Sequence, residues 1–123
     1  MHIEAYRNYC LAKVGTTESF PFDQKTLVFK VMGKMFALTD VDAFTGINLK
    51  CDPDRALELR EQYAGVEPGY HMSKVHWNTV STQSDVSDAL LLELIDHSYA
   101  LIRASLTKKL QAELAELEAA QGA

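Results

Sequence analysis

The sequence predicts an α+β fold, a two-layer sandwich with an antiparallel sheet and helices packed on one face. Three observations point there. Residues 25–51 hold three strand-like runs separated only by short turn signals, so consecutive strands lie side by side as hairpins. Helical patterns flank and interrupt these runs without alternating with each strand, which separates the class from parallel α/β folds. The chain has 123 residues, 47% hydrophobic and 24% charged. That length buries about two-thirds of the unfolded surface around one core, without disulfides or a structural metal. Whole-chain disorder is excluded. A membrane-spanning helix is excluded as well, since no purely apolar run is longer than the four residues of Ala89-Leu90-Leu91-Leu92.

The elements follow in order. Ile3, Tyr6 and Cys10 recur at helical spacing, giving a short amphipathic helix over residues 2–13 that Gly15 stops. Thr16 to Gln24 reads as an ordered loop, with Phe20 and Phe22 pinning it to the core. In Lys25–Met32, Leu27, Phe29 and Val31 alternate with Thr26, Val28 and Lys30, the pattern of a half-buried strand. Gly33 turns the chain into a second strand over Lys34–Thr39, and Asp40–Thr45 turns it again. Gly46–Cys51 is the third strand, with Ile47 and Leu49 inward and Asn48 and Lys50 outward. Asp52 caps the next helix and Pro53 suits its first turn. Glu67-Pro68-Gly69 reads as a turn, followed by two short extended pieces between Tyr70 and Val80. Asp85 is the expected N-cap of a long helix whose stripe is Leu90, Leu91, Leu94, Ile95, Ser98, Leu101 and Ile102. A tail with Leu106, Leu110, Leu114 and Leu117 is helical and frays from Ala119. The expected order is α-β-β-β-α-β-β-α plus the tail helix. This amounts to one domain over residues 1–109 and a helical tail over 110–123. The tail is too short for a coiled coil, so it covers the protein's own sheet or helix, and a monomer is expected.

The net charge is −5, against a strongly basic nucleic-acid binder. Its distribution is uneven. Residues 1–24 carry −1, residues 25–80 are neutral, and residues 81–123 carry −4. Lys30, Lys34, Lys50 and Lys74 lie on or beside strands. They form either a locally positive face or ordinary edge protection. Cys10 and Cys51 have no CxxC spacing, and the N-terminus has no long apolar run, so a reducing, cytoplasmic location is expected.

No enzyme motif stands out: there is no P-loop, GxGxxG, HExxH or GxSxG. The four histidines lack zinc-site spacing, so no metal site and no cofactor are expected. A cysteine nucleophile at Cys51 needs a base and a lowered pKa, and the plainer reading is a small boundary residue. The segment from Gly69 to Thr79 gathers Tyr70, His71, Lys74, His76, Trp77 and Asn78. Such groups stack on or hydrogen-bond to a nucleic acid or a small ligand, or else serve as boundary aromatics with polar tips.

Several strings, in this order and spacing, resemble the MmcQ/YjbR family of small bacterial proteins. They are Ser19-Phe20-Pro21-Phe22-Asp23, Val28 through Leu38, Leu49-Lys50-Cys51-Asp52-Pro53, Pro68 through Lys74, His76-Trp77-Asn78-Thr79-Val80, and Ile95-Asp96-His97-Ser98-Tyr99. The resemblance covers residues 3 to 109. It implies a CyaY-like (frataxin-like) fold and non-enzymatic DNA binding through a double wing of two β-hairpin elements. The wings would be the hairpin at Gly33 and the turn at Ser73. The DNA-contacting residues it implies are Lys30, Lys34, Lys50, Lys74, His71, His76, Trp77 and Asn78. The alternative is a small-molecule or protein interaction domain with a pocket around Tyr70, His71, His76 and Trp77. Frataxin-type iron binding fits poorly, because the first helix offers only Glu4 where that activity uses an acidic ridge.

Overall fold

A computed structural model describes residues 1–70 and 72–122. Helix α1 (Ile3–Leu11) leads into β1 (Thr16–Ser19), β2 (Thr26–Val31), β3 (Lys34–Asp40) and β4 (Gly46–Lys50). Helix α2 (Pro53–Gln62), β5 (Val66–Pro68), β6 (Trp77–Ser81), α3 (Asp88–Ser105) and α4 (Lys108–Gly122) follow. The strands form one antiparallel sheet in the order β1-β2-β3-β4-β6-β5. The α+β class and the antiparallel sheet are therefore as the sequence predicts.

The hairpin at Gly33 is present. Met32 and Gly33 both have positive φ, 48° and 89°, as the primed hairpin turns that match strand twist require. Asp52 caps α2, accepting the Arg55 N–H at 3.2 Å, with Pro53 in the first turn.

Four expectations are corrected. The segment after Gly15 is not all loop. Thr16–Ser19 forms edge strand β1, paired with β2, and Arg7 anchors it by gripping Glu18 with two bonds at 2.7 and 2.8 Å. Phe20 and Phe22 are not pinned to the core; they are 49% and 65% exposed. The Glu67-Pro68 turn is strand β5, which pairs with β6, so among the described residues between Tyr70 and Val80 there is one strand where two were expected. Pro68 is tolerated there because β5 lies at the sheet edge. Finally, α3 is capped by Ser87, whose hydroxyl accepts the Leu90 N–H at 3.1 Å. Asp85 has another task. Its carboxylate accepts the Ala64 and Gly65 N–H groups, each at 2.8 Å, which closes the α2–β5 corner and holds its pKa below the ordinary carboxylate value.

The helices cover one face. Leu27, Phe29, Ile47, Leu49 and Val80 meet Leu91, Leu94, Ile95 and Ile102 of α3, with Tyr6 and Cys10 of α1 and Leu59 of α2 in the same core. Helix α4 joins that core through Leu114, which is fully buried, and continues to Gly122, past the expected fraying point. Gly15 makes room for it: a Cβ there would lie 2.5 Å from Leu114 Cδ1.

One irregularity shapes the sheet. Phe29 faces Ala37, but Lys30 faces Met35, so Phe36 is bulged out of the β2–β3 ladder. Beside it the β3–β4 register ends at Ala37↔Leu49. Ser98 of α3 enters at this point. Its buried hydroxyl donates to the Phe36 carbonyl at 2.5 Å and accepts the Lys50 N–H at 2.9 Å. A polar residue in the apolar stripe of α3 thus satisfies two backbone groups beside the bulge.

Candidate functional site

Among the described residues no helix covers the second face of the sheet. Alternation along each strand and the cross-strand register assign its residues: Val28 and Lys30, Met35 and Leu38, Asn48 and Lys50, Trp77 and Thr79, and Glu67. Val28, Leu38 and Trp77 form a small second cluster there, flanked by Met35 and Met72. Val28 is therefore buried, not an outward residue of a half-buried strand.

The Gly33 hairpin tip and the start of the β5–β6 connection lie at the same end of the sheet. Counting strand spacings puts the two hairpin axes roughly 14 Å apart. Lys30 and Lys50 lie on the open face near this end, in the cross-strand row of Met35 and Trp77. Lys74 and His76 are exposed on the adjoining loop. Of the acids of this face, Asp40 lies at the opposite end of β3 and Glu67 at the middle of β5, across from Thr79.

The loop is firmly held. Gly69 N–H donates to the Trp77 carbonyl at 2.8 Å, and Cys51 N–H to the His76 carbonyl at 2.8 Å. Gly69 itself is confined, since a Cβ would sit 2.8 Å from Trp77 Cβ. Arg60 of α2 reaches across. Its Nε donates to Asn78 Oδ1 at 2.7 Å, and its Nη2 donates to the Trp77 carbonyl at 3.3 Å and to the Lys74 carbonyl. On the open face, Thr79 Oγ1 donates to Asn48 Oδ1 and accepts the Tyr70 N–H at 3.0 Å.

Beside this loop is a cleft of about 890 Å³, floored by the sheet. Phe22 and Tyr70 line it from the two loops, Leu38, Asn48 and Thr79 from the strands, and Asp23, Asp40, Glu67 and Lys74 contribute charge. Tyr70 is 68% exposed.

The residues expected to contact DNA thus divide. Lys30 and Lys50 share one end of the open face, and Lys74 lines the cleft beside it; His76 is exposed on the same loop but does not line that cleft. Lys34 does not join them; its ammonium donates to the Ser105 carbonyl at 3.2 Å, closing the end of α3 on the helix side. Trp77 is 8% exposed and packs on Val28 and Leu38, so it supports the face from within. Asn78 is 2% exposed, turned to the helix layer, and its amide donates to the Ala56 carbonyl at 3.4 Å. His71 lies outside the described residues. The expected pocket residues divide as well: of Tyr70, His76 and Trp77, only Tyr70 lines the cleft. Phe22, Asn48 and Thr79 were missed, because the sequence does not show that the 20–25 loop and the β5–β6 loop border one cleft.

Other reactive groups lie elsewhere. Burial pushes the Cys51 thiol pKa up despite the nearby Arg55, which opposes nucleophilic use at neutral pH. Burial likewise pushes Cys10 up to about 12. Among the described residues no cluster of His, Cys, Asp or Glu has the makings of a metal site. No helix among the described residues is long and apolar enough to cross a membrane.

The fold defines a small α+β protein with a six-stranded antiparallel sheet whose helices pack on one face. The chain belongs to the YjbR family, whose model matches residues 11–101. It is similar to YbdF of Escherichia coli O157:H7, 40% identical over 91 residues, which is 73% of this chain and 75% of that one. YjbR of Escherichia coli K12 is 35% identical over 100 residues, 80% of this chain and 85% of its own. The crystal structure of Deinococcus radiodurans protein DR2400, with its DUF419 domain, superposes with a TM-score of 0.85 at 40% identity. The match covers 92% of this chain and 87% of that one.

Proposed function

We propose that this protein binds DNA without catalysing a reaction, through the lysine-bearing end of its open sheet face. The observation that carries the reading is the convergence of Lys30 and Lys50 on the open face, at the end where the Gly33 hairpin tip and the start of the β5–β6 connection lie. Lys74, which lines the adjoining cleft, extends the same patch. The acid excess of residues 81–123 belongs to α3, α4 and the segment leading into them, which pack on the other side. The net charge of −5 therefore opposes tight, indiscriminate binding but leaves a local positive surface. Wing contacts of this kind are what the family resemblance implies, with Lys34 withdrawn from the set.

Phosphate contacts make the binding salt-dependent. Three lysine contacts give a log–log slope of about −2.7, hence roughly 40-fold weaker binding between 50 and 200 mM salt. Fluorescence anisotropy with a labelled duplex tests this. Lys30→Glu, Lys50→Glu and Lys74→Glu should each weaken binding, and Lys34→Gln should not. Absence of binding near 50 mM salt, where electrostatic contacts are strong, overturns the proposal.

A further inference from the structure

We propose that the cleft on the open face receives unpaired bases, so that the preferred ligand is single-stranded nucleic acid with its phosphates on the lysine side. This rests on the DNA-binding reading and names the form of nucleic acid that site takes. The cleft's volume, about 890 Å³, is within the range of sites for small planar ligands. It is far too small for a duplex, whose bases are also already paired. Phe22 and Tyr70, 65% and 68% exposed, line it from two separate loops. Aromatic rings beside a basic track are the usual platform for successive bases.

Charge fixes the polarity. Asp23, Asp40 and Glu67 line the cleft and repel phosphate, whereas Lys74 lines it from the loop and Lys50 and Lys30 continue the basic row. The backbone is therefore drawn to the lysines and the bases point toward the acids. Carboxylates accept from exocyclic amino groups, which cytosine carries and thymine lacks. Asn48 and Thr79, at the floor, hold the Tyr70 backbone from below and so fix the height of that wall.

The test is anisotropy at about 50 mM salt, using the full chain with oligo(dC), oligo(dT), a mixed-sequence duplex and cytidine monophosphate as competitor. Oligo(dC) should bind more tightly than oligo(dT) and than the duplex. Phe22→Ala and Tyr70→Ala should each weaken oligo(dC) by at least about 5-fold and leave the duplex unchanged. Lys50→Glu should weaken every polymer. Duplex binding equal to or tighter than oligo(dC), or insensitivity of oligo(dC) to both alanine variants, overturns the inference while sparing the DNA-binding reading. Equal affinity for oligo(dC) and oligo(dT) overturns the amino-group polarity. Displacement by the free nucleotide at the oligomer's own affinity overturns the polymer as ligand. Failure of oligomers and duplex alike removes both readings together.

Discussion

Arg60→Ala should destabilise the whole protein by about 2–4 kcal/mol. The guanidinium holds Asn78 Oδ1 at 2.7 Å, the Trp77 carbonyl at 3.3 Å and the Lys74 carbonyl as well. Bonds from a charged donor contribute about 1.5–3 kcal/mol net, and stranding a buried acceptor costs about 1–3 kcal/mol. Asn78 is only 2% exposed, so water cannot readily replace the lost donor. The two contributions overlap, which keeps the total near the stated range. A domain of this length has about 6–18 kcal/mol of stability in all, so the loss is a large fraction. Urea denaturation should show it as a lower midpoint at unchanged m, and thermal melting as a fall of roughly 10 °C. Arg60→Lys keeps the charge but loses the planar fork, and should fall between wild type and Arg60→Ala. A double-mutant cycle with Asn78→Ala should give a coupling of about 1–2 kcal/mol. A loss below about 0.5 kcal/mol with additive effects would refute the clamp.

Three further outcomes are expected. Ser98→Ala strands the Phe36 carbonyl and the Lys50 N–H, so chemical denaturation should show a loss of about 1–3 kcal/mol. Gly15→Ala should be worse than Gly33→Ala. Both positions have positive φ, but only at Gly15 does the new Cβ strike a core side chain, and overpacking adds about 1–3 kcal/mol; comparison of the two melting points decides it. The third concerns pH. His97 Nε2 accepts the Asp52 N–H at 3.2 Å, and burial, with help from the Arg55 charge, holds its pKa below the ordinary 6.5. The unfolded chain then binds the proton more readily than the folded one, so stability rises with pH in this window. The contribution is complete above 6.5 and is lost as pH falls through 6.5 toward the lower folded value. His97→Gln should flatten that slope in denaturation curves taken at stepped pH; an unchanged slope removes the assignment.

The strands with strong alternation were legible because period-two burial leaves its mark along a run: Leu27, Phe29, Val31, then Ile47 and Leu49. The edge strands were not. In Thr16–Ser19 the burial alternates between partial and full exposure, so no apolar pattern is written there, and Val66–Pro68 is three residues long with a proline at its end. Their formation is decided by partners far away in the chain. The Asp85 cap misled for a related reason: an aspartate before a helix fits the capping rule, yet this one serves a corner some twenty residues earlier. Of the candidate site, Lys30, Lys50 and Lys74 were visible as lysines on or beside strands. The diversion of Lys34 to the end of α3 depends on side-chain reach from a bulged hairpin, which spacing does not encode. The cleft stayed hidden because two loops about fifty residues apart in sequence build it.

The Ser98 hydroxyl has a consequence for how motion would be read in this molecule. It acts as a wedge between two strands: the Lys50 amide leans on a helix side chain as its acceptor. Exchange of that amide with solvent deuterium therefore reports lifting of α3 from the sheet, not fraying of the strand that contains it. The same helix holds the Val14 carbonyl through the Tyr99 hydroxyl at 2.6 Å and the start of α2 through His97. The Lys50 amide, whose side chain belongs to the open face, is thus a built-in gauge of the helix layer, and changes in its protection on adding nucleic acid would measure strain carried through the thickness of the protein.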